Sequence, residues 1–274
     1  MRRFRIVMEY DGSCFHGWQC QPKIKTVQGE LEKALSLIAN MPVIVHGSGR
    51  TDAGVHALAQ VAHFDMHTRM NGSAIKKALN CLLPEGLAIH HCMEAGPAFH
   101  ARFAARAKTY RYRILNRPLR PVLGRNYLWH VWQPLDRKAM DAAAAYLVGT
   151  HDFKSFEAAG SPRSHTVRTL YSVFFSDEPG IPDVFAFEVT GNGFLRYMVR
   201  NLAGTLIQVG RGKIKPESLP EILEGKKREL AGVTAPPQGL FLKAVHYDLN
   251  NDFRQPAMEI KPPPGIGMGG EGAG

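Results

Sequence analysis

What most limits the fold of this chain is the order of its periodic segments. FRIVMEY (4–10) alternates with the period of a strand. After a loop, DGSCFHGWQCQP, Thr26 is placed to cap a helix in which Val27, Leu31, Ala34, Leu35 and Ile38 recur at helical spacing. VIVHG (43–47) and QVAHFD (60–65) predict two more strands. SAIKKALNCLL (73–83) predicts a helix stopped by Pro84, and LAIHHCME (87–94) a strand. The order is strand, helix, strand, strand, helix, strand.

The same order then repeats. AKTYRYRIL (107–115) predicts a strand and DRKAMDAAAAYLV (136–148) an Ala-rich helix ended by Gly149. VRTLYSVFF (167–175) and DVFAFEV (183–189) follow as strands. Residues 194–210 then form a helix, with Leu195, Val199, Leu202, Leu206 and Val209 on one face. A short helix at 216–224 precedes a closing strand, LFLKAVHYDL (240–249). With 274 residues, at roughly 100–200 per domain, two such units fit. The prediction is an α+β chain of two tandem ferredoxin-like βαββαβ subdomains, 1–105 and 106–253, sharing a mainly antiparallel sheet with a cleft between the halves. The tail, 254–274, is rich in Pro and Gly and is expected to be disordered.

Charge narrows the partners. Lys and Arg number 34 against 24 Asp and Glu, a net charge of +10, which favours polyanions, nucleic acid first and acidic membrane second. No run approaches a membrane span, and MRRFRIVMEYDG lacks the apolar core of a signal peptide, so a cytoplasmic protein with no membrane partner is expected. The four cysteines form no CxxC pair and read as reduced thiols. His90, His91 and Cys92 lie in a predicted strand, where neighbours point to opposite faces, so they do not make one compact metal site. No nucleotide-binding motif is found, and no cofactor or metal is expected.

Four groups of residues are candidates for chemistry. The stretch GSGRTDAGVHALAQVAHF (47–64) contains one acid, Asp52, in a glycine-rich turn with Arg50 two residues before it and His56 four after. Asp52 is either a turn acid bonding its own backbone or a catalytic carboxylate on a loop held by flanking strands. In 107–115, Lys108, Tyr110, Tyr112 and Ile114 share one face, and Thr109, Arg111 and Arg113 the other. The tyrosine pair reads as core, or as a surface for base stacking and proton transfer. Arg196 and Arg200, four apart, form either a solvated stripe or a cation that reaches the carboxylate and keeps it ionised. FHARFAARAK (99–108) mixes Arg102 and Arg106 with aromatics, as an RNA path would.

Taken together, GRTDAGVHA, YDGSCFHGWQCQP, TVQGELEKAL, ALNCLLP, FHARFAARAKTYRYRI, GTHDFKSF, GNGFLRYMVRNLAGTLIQVGRG and APPQGLFLKAVHYD resemble, in order and spacing, the TruA-type tRNA pseudouridine synthases. The resemblance covers about residues 3 to 248. It implies the pseudouridine synthase fold of two subdomains, a homodimer, a basic cleft for tRNA, and isomerisation of uridines at positions 38, 39 and 40 of the anticodon arm. It makes Asp52 the catalytic aspartate and Arg50 the arginine that helps open the RNA. Tyr110 becomes the tyrosine that packs against the target base, and Arg200 the partner of the aspartate. The tail departs from the pattern.

That reaction moves uracil from an N1–C1′ to a C5–C1′ bond with no net gain or loss of atoms, so it needs no redox or energy donor. The base must be flipped into a pocket, where an ionised Asp52 attacks C1′ or the ring or stabilises a glycal-like intermediate. C5 finally loses a proton, to Tyr110 or to a water near it. Two rivals remain. A non-catalytic RNA-binding or tRNA-chaperone protein accounts for the charge but not for the Arg50, Asp52 and His56 loop. A carboxylate-dependent hydrolase would need a second acid or a metal near Asp52.

Overall fold

The computed structural model describes residues 1–161 and 165–247. The first strand, β1 (Arg2–Tyr10), buries Phe4, Ile6, Met8 and Tyr10 at alternate positions. Helix α1 (Val27–Ala39) starts where predicted, the Gly29 amide donating to the Thr26 hydroxyl at 3.3 Å. It turns Val27, Leu31, Ala34 and Leu35 into the core and ends at Asn40, in the left-handed conformation that asparagine tolerates. The strand predicted over 43–47 shrinks to β2 (His46–Gly47). The Val43 and Val45 amides donate instead to the Ser36 hydroxyl and the Glu32 carboxylate of α1, each at 3.0 Å, so side chains take the place of a ladder. β3 (His56–Met66) is longer than predicted. Asn71 caps α2 (Gly72–Leu82), which leads into β4 (Leu87–Ala95).

In the second half, β5 (Ala107–Asn116) is followed by β6 (Trp129–Val131), a three-residue strand too short to show a period. Asp136 caps α3 (Arg137–Ala145). The Ala-rich pattern overruns this helix: Tyr146 closes it, and Gly149, at φ 112°, already opens β7 (Gly149–Asp152). β8 (Val167–Asp177) and β9 (Val184–Gly191) lie near their predicted places. Helix α4 (Met198–Gly210) starts four residues later than expected, because Tyr197 takes φ 63°. Arg196 therefore precedes the helix and does not share a helical face with Arg200. α5 (Leu219–Gly225) and β10 (Leu240–His246) complete the described chain. The last residues predicted for that strand, and the tail 254–274, lie outside the described residues.

All ten strands described join one sheet in the order β4-β1-β3-β10-β5-β9-β8-β7, with β2 on β3 and β6 on β5. Pairings are antiparallel except β10 with β3 and β6 with β5. Helix α1 packs beside α2, and α3 beside α4. The joint between the two halves of the chain is the short parallel pairing of Phe241 with His56 and Leu242 with Ala57. It falls where β3 emerges from the glycine-rich loop, so the loop sits at the seam of the sheet.

Candidate active site

The loop 48–55 connects β2 to β3 and is held from three sides. Behind it lies the 11–18 segment, backbone against backbone. The Trp18 amide donates to the Thr51 carbonyl at 3.1 Å. A Cβ on Gly12 would lie 2.3 Å from the Val55 carbonyl oxygen, so only glycine permits this approach. Beneath it, Gln60 of β3 is fully buried and bonds inward. It accepts from the Ser48 hydroxyl at 2.6 Å and donates to the Gly49 carbonyl at 3.1 Å. The Tyr10 hydroxyl shares a 2.8 Å hydrogen bond with that of Thr51. Burial pushes the Tyr10 phenol up to about 12. On the third side Lys108 of β5 donates to the Ser48 carbonyl at 2.7 Å, with its ammonium lowered to about 8 by burial.

So gripped, the loop presents Asp52 to Arg200 of α4. Arg200 Nη1 lies 3.5 Å from Asp52 Oδ2, while its Nε donates to the Ala235 carbonyl at 2.7 Å. That second bond aims the guanidinium, and the ring of Tyr197 lies 4.8 Å from it. Asp52 is half-buried. Burial raises its carboxyl above the ordinary carboxylate value, and Arg200, with Arg196 more weakly, opposes the rise. The result is a carboxylate more basic than a free aspartate that still has a fixed cation beside it.

Tyr110 of β5 is 8% exposed, with the Phe194 ring edge-on at 5.0 Å. Its hydroxyl has no hydrogen-bond partner among the described residues. Burial, then Tyr10 and Asp52, raise its pKa beyond the ordinary tyrosine value, so the group is a phenol throughout the working range. That disfavours Tyr110 as the acceptor of a proton and favours it as a stacking surface and hydrogen-bond donor. Tyr112 behaves otherwise. It is fully buried and donates to the Pro236 carbonyl at 2.6 Å, a core residue tying the 236–239 turn to the sheet.

Arg50 stands exposed at the crest of the loop and is paired with no acid among the described residues. His56 does not face Asp52. Its Nδ1 accepts from the Gly12 amide at 3.0 Å and its Nε2 donates to the Asn126 carbonyl at 2.9 Å, while its ring stacks on Phe241 at 4.6 Å. Burial lowers the imidazole pKa and so favours the neutral ring, against the pull of the Asp11 carboxylate 3.2 Å from Nδ1. The structure thus brings Asp52, Arg200 and Tyr110 together around the seam, with Arg50 exposed on the same loop as Asp52. Sequence reasoning missed Gln60, Tyr10 and Tyr197. A glutamine at an inward-facing position between Ala57 and Val61 of a strand was the available signal for the first.

The profile of the tRNA pseudouridine synthase family matches residues 6–104 and 143–248. The tRNA pseudouridine synthase A of Thermoanaerobacter sp. (strain X514) is 44% identical over 90% of this chain and 100% of its own. That of Coxiella burnetii (strain Dugway 5J108-111) is 44% identical over 96% of this chain and 98% of its own. A crystal structure of an unknown protein from Galdieria sulphuraria covers 77% of this chain and 92% of its own, at 12% identity and a TM-score of 0.23, too low to bear on the fold. With the family profile spanning most of its length and relatives of this identity matched nearly end to end, the chain belongs to the tRNA pseudouridine synthase family.

Proposed function

We propose that this chain converts the uridines at positions 38, 39 and 40, in the anticodon stem-loop of tRNA, to pseudouridine, with Asp52 as the nucleophile. That it is an isomerase acting on tRNA follows from its family. The positions and the residue roles are the proposal. The observation that carries the residue roles is the pairing of Asp52 with Arg200 on a loop gripped by Gln60, Tyr10 and Lys108. A flipped uridine entering between Asp52 and Tyr110 meets an ionised carboxylate on one side and an aromatic ring on the other. The carboxylate attacks C1′ or the ring, the N1–C1′ bond breaks, and the uracil turns against Tyr110. C5 then bonds C1′, the C5 proton leaves and N1 gains one. Since Tyr110 is a phenol, water or the freed Asp52 carboxylate takes the C5 proton. Arg50, exposed at the crest of the loop, fills the space the base vacates.

Two βαββαβ units, 1–105 and 106–253, of ferredoxin-like topology are part of the same reading. The local orders β4-β1-β3-β2 and β10-β5-β9-β8 support it. A homodimer is supported by the loop in which Leu119, Val122 and Leu123 are each about 70% exposed. The test incubates unmodified tRNA transcript with the parent protein and with Asp52→Asn, and maps pseudouridine alongside tRNA affinity. The parent should modify positions 38 to 40. The variant should bind as tightly and yield no detectable product, since loss of a covalent catalyst costs on the order of 10⁴-fold or more. Product elsewhere in the tRNA would refute the positions, and a variant within about tenfold of the parent would refute the nucleophile.

A further inference from the structure

One large apolar side chain is held rigidly out of the fold beside the site. Phe103 is 76% exposed. A lone exposed phenylalanine means little. Its mount is what sets this one apart. Ala101, two residues before it, is fully buried; its amide donates to His63 Nδ1 at 3.2 Å and its carbonyl accepts from the Tyr247 hydroxyl at 2.7 Å. The Phe99 carbonyl accepts from Arg3 at 2.9 Å. His100 Nδ1 accepts from the amides of Arg102 and Phe103, and the Ala104 amide closes the turn on the His100 carbonyl at 2.9 Å. The His100 ring then lies against Phe103 with centroids 4.3 Å apart and planes 32° apart. Three amides of the turn are bonded within it and its flanks are anchored, while the ring it carries is left to solvent.

The surroundings are cationic. The Arg102 guanidinium lies 5.7 Å from the Phe103 centroid. Arg102 and Arg106 are exposed, and neither is paired with a carboxylate among the described residues. Asp65, which acts on His63 at the base of the turn, is already held by Arg3 at 2.7 Å. Arg102 also acts electrostatically on Lys108, whose ammonium bonds the Ser48 carbonyl and would lie 2.7 Å from a Cβ on Gly49. Lys108 therefore links this turn to the loop that carries Arg50 and Asp52.

We propose that Phe103, backed by His100 and flanked by Arg102 and Arg106, is a stacking site for one unpaired base of the bound tRNA, next to the nucleotide being modified. The proposal rests on tRNA being the substrate. An aromatic face offers every base a stacking partner without regard to sequence, and the two arginines offer partners to the phosphates on either side. The site would thus hold the strand near the seam without choosing its sequence, which suits an enzyme that acts on several neighbouring uridines.

The test compares the parent with Phe103→Ala, Phe103→Leu and Phe103→Trp, using an unmodified tRNA transcript as probe. Base–aromatic stacking corresponds to about 5–150-fold in affinity. Ala and Leu should both weaken tRNA binding within that range, and Trp should keep it within about twofold. The indole emission that Phe103→Trp adds to the parent spectrum should be quenched by tRNA, a signature that a structural role would not produce. Product formation by the parent tests the functional reading by itself, so the two can fail separately. Parent-like affinity for Phe103→Ala, full rescue by Leu, or added emission that tRNA leaves unquenched would each overturn the stacking site. So would a change in sedimentation of Phe103→Ala at unchanged tRNA affinity, since the residue would then contact a second protein chain.

Discussion

Asp52 is poised between two opposing influences, and the balance sets its pH behaviour. Burial raises its carboxyl pKa and Arg200 restrains the rise. Catalysis needs the ionised form, so the rate should fall as pH drops through the raised value. Arg200→Gln leaves burial unopposed, and the acid limb of the single-turnover rate should move to higher pH. Arg200→Lys keeps a charge and should move it less, although it loses the bond to the Ala235 carbonyl. A limb that stayed in place in Arg200→Gln would show that the 3.5 Å pair does not act on the carboxylate. The same shift has a stability sign. A folded carboxyl pKa above the unfolded one means that ionisation disfavours the fold, so stability declines as pH rises from the ordinary 3.8 through the raised value. Above that window Asp52→Asn should therefore have a Tm no lower than the parent. The two tyrosines of β5 show where sequence stops. Alternation puts Tyr110 and Tyr112 on one face, but it does not reveal that one hydroxyl meets a backbone carbonyl and the other meets none. Tyr112→Phe leaves the half-buried Pro236 carbonyl without its donor and should lower stability by about 1 kcal/mol in denaturant titrations. Tyr110→Phe should leave stability nearly unchanged and slow turnover. Equal losses of turnover from both would reverse the roles.

At the scale of elements, what was legible depended on what holds each one. Amphipathic helices with side-chain caps, such as α1 from Thr26 and α3 from Asp136, began where their residues said. Elements decided by contacts distant in sequence did not. The 43–45 segment has strand-forming valines but bonds to α1, and α4 begins late because Tyr197 is held left-handed between two arginines. Lys108 is the sharpest case. Its position on the tyrosine face of β5 was clear, but its reach to the Ser48 carbonyl follows from the seam between segments 60 residues apart. This ammonium is lowered to about 8 in the fold from 10.5. Between those values the unfolded chain binds the proton and the fold does not, so this group makes stability rise with pH from about 8 to 10.5. Lys108→Met should flatten that rise, read as the difference between parent and variant in chemical denaturation across the window. It should also slow turnover at saturating tRNA, because the Ser48 carbonyl loses its clamp and Asp52 its fixed position. An unchanged pH slope would mean that the lysine is hydrated in solution.

For the whole molecule, the repeated order of strands and helices foretold a mainly antiparallel sheet running through both halves, because alternation and amphipathic spacing mark most elements wherever the chain places them. The distribution of charge could not be foretold in the same way. The +10 is a sum over the chain, and the sheet removes some of its members from use. Arg111 and Lys243 both hold the buried Glu188, and Arg113 holds Glu178 at 2.6 Å. Arg2 and Arg3 are likewise paired with Glu94 and Asp65. Arginines that look equivalent in FHARFAARAKTYRYRI therefore divide into Arg102 and Arg106, free to meet phosphates, and Arg111 and Arg113, committed to glutamates. Binding should weaken with salt by roughly 0.7–0.9 in the log–log slope for each phosphate neutralised. Arg102→Gln and Arg106→Gln should each make the slope shallower by about that amount. Arg111→Gln, with Lys243 still holding Glu188, should leave it unchanged. The single-turnover rate at saturating protein should barely respond to salt, because Asp52 and Arg200 are half-buried and screened little. Filter-binding isotherms from low to moderate salt decide the matter: a flat affinity would mean that no phosphates are neutralised, and a slope that Arg111→Gln reduces as much as Arg102→Gln does would mean that Arg111 meets phosphates too.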